Sequence, residues 1–331
     1  MKKNIVFGLL ISCVCIYFAF RGIDFSALAA SLASVNYLYI IPVVLIVLCA
    51  HYLRCYRWGK ILETLVSYDQ KTLFILGSIG YMAVSVLPAR LGEFARPFLV
   101  KKHSGIKMSA TMATIILERV FDLLTLMLFL FIVIMKVSLP PEVVKAGITM
   151  LTISLSIFIM LIILAIKRDF SISSIDAILS VFPKKIAGPL NRLAHSFIDG
   201  LQILPNIGKT LYVLFLSVLI WGIIGLSAYV LFLGFGFKLS IINGFAVTVI
   251  IALGVMLPAA PGFIGTYHVA CKIGLVCFGV SNEDALSYAI LLHFFQMVPI
   301  VVLGLAMLPF QKISLQGIIK HEENEDMKEN A

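Results

Sequence analysis

The chain has 331 residues, of which 61% are hydrophobic and only 13% are charged, and its formal net charge is +9. A soluble domain of this length does not fold with so little charge, so the composition excludes one and predicts an all-α polytopic membrane helix bundle. The basic residues are scattered in loops beside apolar segments, which indicates an anionic membrane surface as their partner and not nucleic acid.

Six apolar segments are long enough to cross a bilayer, which takes about 20 helical residues. They cover residues 4–20, 37–57, 108–137, 143–166, 210–236 and 285–309. The first follows Lys2 and Lys3 and has no small-x-small cleavage site before Arg21. We therefore interpret it as a retained signal-anchor helix and not as a cleaved signal peptide.

Two shorter apolar segments are interrupted by the same motif, Leu-Pro-Ala-x-x-Gly. The segments and their continuations are 72–87 with 94–100 and 243–257 with 263–278, and the motif begins at Leu87 and at Leu257. Pro removes a backbone donor and Gly lowers helix propensity, so each motif predicts a helix that stops within the membrane. Such breaks persist in lipid only where they are buried in protein or line a cavity. We predict two re-entrant broken hairpins.

The distribution of Lys and Arg favours one orientation. With the N-terminus inside, the inner segments carry eighteen of these residues, Arg54 and Arg57 included, and the outer segments carry five. This bias predicts a multi-pass inner-membrane protein with cytoplasmic N- and C-termini. It also gives the two halves, residues 1–138 and 142–312, opposite topology with one broken hairpin each. Inverted repeats of this kind are the plan of many secondary transporters, with the substrate site at the repeat interface.

Two further segments complete the predicted organisation. Residues 170–208 hold short apolar clusters among Lys184, Lys185 and Arg192, which predicts interfacial amphipathic helices within the membrane domain, residues 1–312. Residues 313–331 are acidic and lack apolar periodicity, which predicts a disordered cytoplasmic tail.

Charged residues cluster after the first break and on the next span. Arg90, Glu93 and Arg96 recur at three-residue spacing, so in a helix Glu93 can pair with both arginines. The net positive charge of this trio predicts a site for a phosphate-bearing headgroup, because arginine's planar fork suits phosphate and carboxylate. An interfacial loop whose arginines reach lipid headgroups is the alternative. Downstream, Glu118, Arg119 and Asp122 fit one side of a helix, either as a structural lock for the site or as a proton or ion relay.

The second hairpin is nearly uncharged. Its candidate binding groups are Pro258, Gly262, Gly265, Tyr267 and His268. A helix that restarts near Gly262 would direct free N–H groups at an anionic headgroup. His268 is either a titrating residue or a hydrogen-bonded structural one, and His293 and Gln296 are candidates for the same cavity.

Motifs of catalysis and cofactor binding are missing from the sequence. It contains no nucleotide-binding glycine loop, no zinc-protease His-Glu motif and no Gly-x-Ser-x-Gly elbow. The six cysteines show no metal-ligand spacing with His. We therefore predict a protein that is not an enzyme and that uses no cofactor and no metal.

Three ordered motifs carry a resemblance to a known family. They are Pro88-x-Arg90-x-Gly92-Glu93-x-x-Arg96, Glu118-Arg119-x-x-Asp122 and Pro258-x-x-Pro261-Gly262-x-x-Gly265. Over roughly residues 5–312 the chain resembles the lysylphosphatidylglycerol synthase transmembrane-region family, a flippase-like domain family of uncharacterised integral membrane proteins. The resemblance implies an inner-membrane helical bundle that moves, or helps to move, a lipid between leaflets. The synthases add a cytosolic aminoacyl-transferase domain, and we do not expect this chain to make lysyl lipid.

Three functional hypotheses follow. The first is a translocase for a phospholipid or a polyprenyl-linked lipid, whose anionic headgroup meets Arg90 and Arg96 between the hairpins. The second is a non-transporting scaffold that docks a cytosolic lipid- or glycan-modifying enzyme through residues 170–208. The third, a membrane transferase acting on a prenyl- or diacyl-phosphate, is weaker because no catalytic pair is visible.

Overall fold

The computed structural model describes residues 2–87, 92–139, 141–256 and 260–311. Throughout that part of the chain the regular structure is helical. The helices are α1 (Lys2–Phe20), α2 (Phe25–Ser34), α3 (Ile40–Leu62), α4 (Gln70–Val86), α5 (Ala95–Ser104), α6 (Met108–Ile134), α7 (Pro141–Ile166), α8 (Arg168–Leu179), α9 (Lys184–Gly200), α10 (Ile207–Phe235), α11 (Ile241–Gly254), α12 (Thr266–Val276) and α13 (Asn282–Met307). The all-α polytopic bundle expected from the composition is confirmed.

The long apolar helices make this a multi-pass membrane protein. Those that meet the length and hydropathy of a span are Tyr37–Leu62, Pro141–Ile166, Ile207–Phe235 and Asn282–Phe310, and α1 with α2 forms a fifth candidate that is bent by 83°. Six spans were predicted from the sequence, whereas in the described part of the chain length and composition support four or five. Helix α6 was predicted as a span but is not among these helices, because it carries three charged side chains near the middle of its 27 residues.

Both predicted breaks separate two shorter helices that pack against each other. In the first half α4 ends at Val86 and α5 begins at Ala95, and in the second half α11 ends at Gly254 and α12 begins at Thr266. Local caps explain where these hairpins start: the Asp69 side chain accepts from the Thr72 backbone N–H, and Ser240 forms a capping box with Asn243. The motif prolines themselves, at positions 88 and 258, lie outside the described residues.

The packing of the helices repeats between the two halves. The repeat is seen when α3, α4, α5 and α6 are matched with α10, α11, α12 and α13. Helix α3 then contacts its own counterpart, α10, and the contact of α4 with α13 corresponds to the contact of α11 with α6. Likewise α3 with α4 corresponds to α10 with α11, and α5 with α6 corresponds to α12 with α13. Two copies of one helical unit, with α3, α4, α5 and α6 matching α10, α11, α12 and α13, give this pattern. The opposite orientation of the two copies in the membrane stays a prediction.

The predicted amphipathic segment forms two helices, α8 and α9. Apolar residues of α9 recur with helical spacing at Leu190, Leu193 and Phe197. The Asp176 carboxylate of α8 accepts a hydrogen bond from His195 of α9 at 2.9 Å, and this bond lowers the pKa of Asp176. The acidic segment predicted as a tail, residues 313–331, lies outside the described residues.

Candidate functional site

Four charged side chains form a buried network between α3, α5 and α6. Arg57 donates from Nη1 and Nη2 to the two carboxylate oxygens of Asp122, at 2.5 and 3.3 Å, and from Nη2 to Glu118 at 3.4 Å. Arg96 donates to the other oxygen of Glu118, and Arg57 Nη1 also donates to Ser217 Oγ at 2.7 Å. The two arginines and Glu118 are at most 2% exposed. Two positive and two negative charges compensate each other here.

Arg96 is fixed in this network by its surroundings. Its guanidinium carbon lies 5.0 Å from the ring centroid of Trp58 and 4.7 Å from that of Tyr81. Its aliphatic stem packs on Gly80, where an added Cβ would come within 2.2 Å of Arg96 Cγ. The side chain therefore holds α5 against α3, α4 and α6.

A cavity of about 420 Å³ lies in front of this network. Its walls come from α3, α4, α6, α10, α11, α12 and α13, and from the described flanks of both breaks, Ser85 and Glu93 on one side and Met256 and Gly262 on the other. The cavity thus lies between the two halves of the chain. Lining residues of α6 and α10 stand half-way along those helices, so the cavity is at their mid-depth, and its volume is in the range of small-molecule sites.

The charged residues on the described lining of the cavity are Arg54, Glu93, Arg119 and Asp122. Arg119 lies 4.0 Å from Glu93 Oε1 and 4.0 Å from Asp122 Oδ2, too far for hydrogen bonds, and its side chain is 44% exposed. The guanidinium of Arg54 lies over the rings of Tyr81 and Trp221, at 5.9 and 5.8 Å. Because Arg57 compensates Asp122, the remaining charges on the described lining sum to one positive.

The second break has a strained backbone next to the cavity. Gly262, Phe263 and Gly265 have φ values of 67°, 58° and 98°, a region that bulky residues rarely adopt. At Gly265 a Cβ would lie 2.7 Å from the carbonyl oxygen of Ser12, so α1 approaches the break closely. Residues with a left-handed backbone cannot be part of a right-handed helix, so α12 begins only after them, at Thr266. The expectation that it restarts near Gly262 is wrong.

A polar cluster follows this break. The Tyr267 hydroxyl donates to Gln296 Oε1 at 2.9 Å, and the Tyr267 ring stacks on His293 at 4.3 Å. The Gly265 N–H donates to Nδ1 of His268 at 3.4 Å, which makes His268 a cap of α12. Tyr267, Gln296 and His293 all line the cavity.

The predicted site residues therefore divide into three groups. On the cavity wall are Glu93, Arg119, Asp122, Gly262 and Tyr267. Behind the wall are Arg96 and Glu118, and at the start of α12 are Gly265 and His268. Arg90 and Pro258 lie outside the described residues. Glu93 was expected to pair with Arg90 or Arg96: the pairing with Arg90 lies outside the described residues, and the pairing with Arg96 is wrong, because Arg96 reaches across to Glu118 on α6. The described ion partner of Glu93 is Arg119.

Sequence reasoning missed Arg54 and Arg57. Both were assigned to an inner loop because the apolar run ends near residue 57, but α3 continues to Leu62 and both arginines face the interior of the bundle. The buried residues Trp58, Ile61 and Leu62 continue the helical periodicity, and this was the available signal.

In the described part of the chain, no group of three or more His, Cys, Asp or Glu side chains is arranged to bind a metal ion.

Comparison with known proteins identifies the family. The family described as "Lysylphosphatidylglycerol synthase TM region" matches residues 5–304. A UPF0104 membrane protein of Methanocaldococcus jannaschii is 27% identical over 248 residues, which are 73% of this chain and 97% of that protein. Glycosyltransferase AglD of Haloferax volcanii is 31% identical over 127 residues, which are 38% of this chain and 20% of the glycosyltransferase. No solved structure shows significant similarity. The chain belongs to the lysylphosphatidylglycerol synthase transmembrane-region family.

Proposed function

We propose that the protein is a flippase-like translocase that moves a lipid, or a lipid-linked intermediate, with an anionic headgroup across the inner membrane, with both termini in the cytoplasm. The observation that carries this proposal is the cavity between the two halves. With Asp122 neutralised by Arg57, the other charges on its described lining sum to one positive, and the cavity lies at mid-depth of α6 and α10. Ionisable residues at such depth mark substrate pathways in membrane proteins.

The lining of the cavity suits a lipid in two ways. One part carries the charged groups and the hydroxyl of Tyr267, which a polar headgroup needs once it leaves water. The rest is apolar, with Leu123, Leu126, Ile251 and Ile300 among the lining residues. A headgroup of modest size fits in 420 Å³, while the acyl chains stay in the bilayer.

The same arrangement supports transport over catalysis. General acid–base chemistry needs a carboxyl group that is free to exchange a proton with a substrate. Asp122 is held by both nitrogens of the Arg57 fork and by the indole N–H of Trp221 at 2.9 Å. Glu93, the other carboxylate on the described lining, stands alone as an acid without a second catalytic partner beside it.

Reconstitution tests the proposal. Purified protein in vesicles is given phosphatidylglycerol with a fluorescent acyl label, and dithionite reports how fast the lipid changes leaflet. Ser85→Trp fills the cavity, whereas Val86→Trp places the same ring on the next residue of α4, which is 43% exposed and outside the cavity. We expect transport by the wild type and Val86→Trp and little by Ser85→Trp. Equal rates for protein-containing and empty vesicles would contradict the proposal.

A docking subunit remains the second candidate function. Part of this chain is similar to a segment of a protein named as a glycosyltransferase, whose remaining length lies outside the match. A relative of such a segment is suited to hold a separate enzyme at the membrane, with α8 and α9 as the docking surface. In that case vesicles show no lipid movement, and α9 variants such as Arg192→Glu abolish co-purification of a lipid- or glycan-modifying enzyme.

A further inference from the structure

Arg54 differs from the other arginines of the bundle interior. It lies on α3, faces the cavity and rests on two aromatic faces, those of Tyr81 and Trp221. Among the described residues no carboxylate lies within 4.0 Å of its guanidinium, and none accepts a hydrogen bond from it. Its planar fork of N–H donors is thus held in place by the rings and left open toward the cavity.

A guanidinium in the position of Arg54 is expected to bind an anion. Burying an unpaired charge is costly, so charged groups inside a membrane bundle are paired in the absence of a functional reason. Arg57, one turn along the same helix, shows the paired case with Asp122 and Glu118. The close contacts of Arg54 with described residues are cation–π contacts, which orient it without using its donors.

Arg119 supplies a second set of open donors in the same cavity. Both of its acidic neighbours, Glu93 and Asp122, lie at 4.0 Å, so its N–H groups are attracted to them without forming hydrogen bonds. Asp122 is moreover occupied by Arg57 and Trp221. On the described lining, two guanidinium groups therefore face the cavity against one uncompensated carboxylate.

We infer that Arg54 and Arg119 together bind the phosphate of a phosphate-bearing lipid headgroup, with Tyr81 and Trp221 as the platform that orients Arg54. This inference rests on the proposed function and names its substrate class. The site requires a headgroup that is net anionic: a phosphate monoester or diester offers several acceptor oxygens to the two forks of N–H donors, whereas in phosphatidylcholine the quaternary ammonium offsets the phosphate charge. The headgroup is read by Arg54 and Arg119, and Arg96, which the sequence suggested, is a structural residue.

Binding in detergent tests this inference without requiring transport. The chain has two tryptophans: Trp58 is fully buried and Trp221 lines the cavity, so the fluorescence of Trp221 reports occupancy, and Trp221→Phe gives the background from Trp58. The probes are dioctanoyl phosphatidic acid, dioctanoyl phosphatidylcholine and inorganic phosphate. The variants are Arg54→Gln, Arg119→Gln and Arg54→Lys, with Arg21→Gln at the exposed end of α1 as the matched control.

We expect phosphatidic acid to bind at least tenfold more weakly to Arg54→Gln and to Arg119→Gln, as the loss of a charge-assisted hydrogen bond implies. Arg54→Lys should recover part of this affinity, because an ammonium group lacks the planar fork, and Arg21→Gln should bind as the wild type does. Unchanged affinity in both glutamine variants, or equally tight phosphatidylcholine binding, would overturn the inference. Inorganic phosphate that binds as tightly as the lipid would assign the site to free phosphate and also overturn it.

The two proposals fail in different ways. If vesicles transport lipid but the glutamine variants bind it normally, the translocase stands and the Arg54–Arg119 site is wrong. If phosphatidic acid binds through Arg54 and vesicles show no movement, the site stands and the translocase is wrong.

Discussion

The bundle contains two sets of charged residues on the same helices, and they have opposite character. The buried network of Arg57, Arg96, Glu118 and Asp122 is neutral, and its arginines and Glu118 are almost inaccessible. The cavity set of Arg54, Arg119 and Glu93 is net positive, loosely paired and partly exposed. The same side-chain types therefore have different roles in the two sets. The partners of a side chain, and not its spacing in the sequence, indicate whether it stabilises the bundle or is available to bind a ligand.

This comparison predicts different effects for mutations in the two sets. Changes in the buried network should lower the free energy of unfolding, because each member leaves a partner charge buried and unpaired. Changes in the cavity set should leave stability nearly intact and alter which lipid is bound, because the described ion contacts of Arg119 are long, at 4.0 Å, and Arg54 has no described carboxylate within 4.0 Å.

The largest effect is expected at Glu118. Glu118→Gln removes the charge that both Arg57 and Arg96 contact and leaves two buried guanidinium groups against one carboxylate. We expect a loss of about 3–5 kcal/mol in the free energy of unfolding, measured by denaturant titration in detergent micelles.

Glu93→Gln is the matched control for that change. The Glu93 side chain is 27% exposed and lies 4.0 Å from its described partner, Arg119, so the expected loss is below about 1 kcal/mol. The three-residue spacing of Arg90, Glu93 and Arg96 alone would place the large loss at Glu93. Equal losses for the two variants would remove the distinction between network and cavity.

Arg57→Lys comes next in size. An ammonium group cannot reach both oxygens of Asp122 together with Glu118, so we expect a loss of about 1.5–3 kcal/mol in unfolding free energy. Arg54→Lys, three residues away on α3, should change stability by less than about 0.5 kcal/mol. A pair of thermal melts compares them, and a more damaging change at Arg54 would reverse their assigned roles.

Gly92→Ala tests a close backbone contact between the start of the α5 segment and α4. A Cβ at position 92 would lie 2.2 Å from backbone atoms of Ala83 and Val84, so the first hairpin cannot close on α4 without a shift. We expect a loss of about 1–3 kcal/mol in unfolding free energy. Gly222→Ala in α10, where nothing lies within 4 Å of the added Cβ, should be neutral or slightly stabilising. If Gly92→Ala is equally harmless, the hairpin does not pack on α4 as described.

Among the variants expected to lose stability, leaving their controls aside, Tyr267→Phe should lose the least. It removes one hydrogen bond to Gln296, at the cavity wall, for a loss of about 1 kcal/mol in unfolding free energy. Tyr288→Phe removes a comparable bond to the Ala228 carbonyl away from the cavity and should cost a similar amount. Only Tyr267→Phe should change the rate of lipid movement, and an equal change in Tyr288→Phe would show that the effect is general.

The sequence predicted the helices well where apolar runs define them. The predicted span at 143–166 is α7, Pro141–Ile166, and the segment at 72–87 is α4, Gln70–Val86. The short helix α2, Phe25–Ser34, was missed because its small and polar residues give no span signal, although Asp24 caps it. Helix boundaries follow from composition; the angle of 83° between α1 and α2 does not.

The site was harder to predict because its contacts cross between helices. Spacing rules describe neighbours on one helix, so they paired Glu93 with Arg96 and could not join Arg96 to Glu118 on α6. Arg57 and Arg54 stand at the end of an apolar run, where basic residues usually mark the membrane surface. Only the packing of α3 against α6 and α10 turns these two residues inward.

The central claim is that the cavity, through Arg54, selects an anionic lipid for transport. The most direct measurement is the ratio of transport rates for phosphatidylglycerol and phosphatidylcholine in vesicles that contain the wild type or Arg54→Gln. We predict that the wild type moves phosphatidylglycerol about tenfold faster or more, and that Arg54→Gln brings the ratio close to one while its unfolding free energy stays unchanged. A wild-type ratio near one, or a ratio that Arg54→Gln leaves unaltered, would contradict the account.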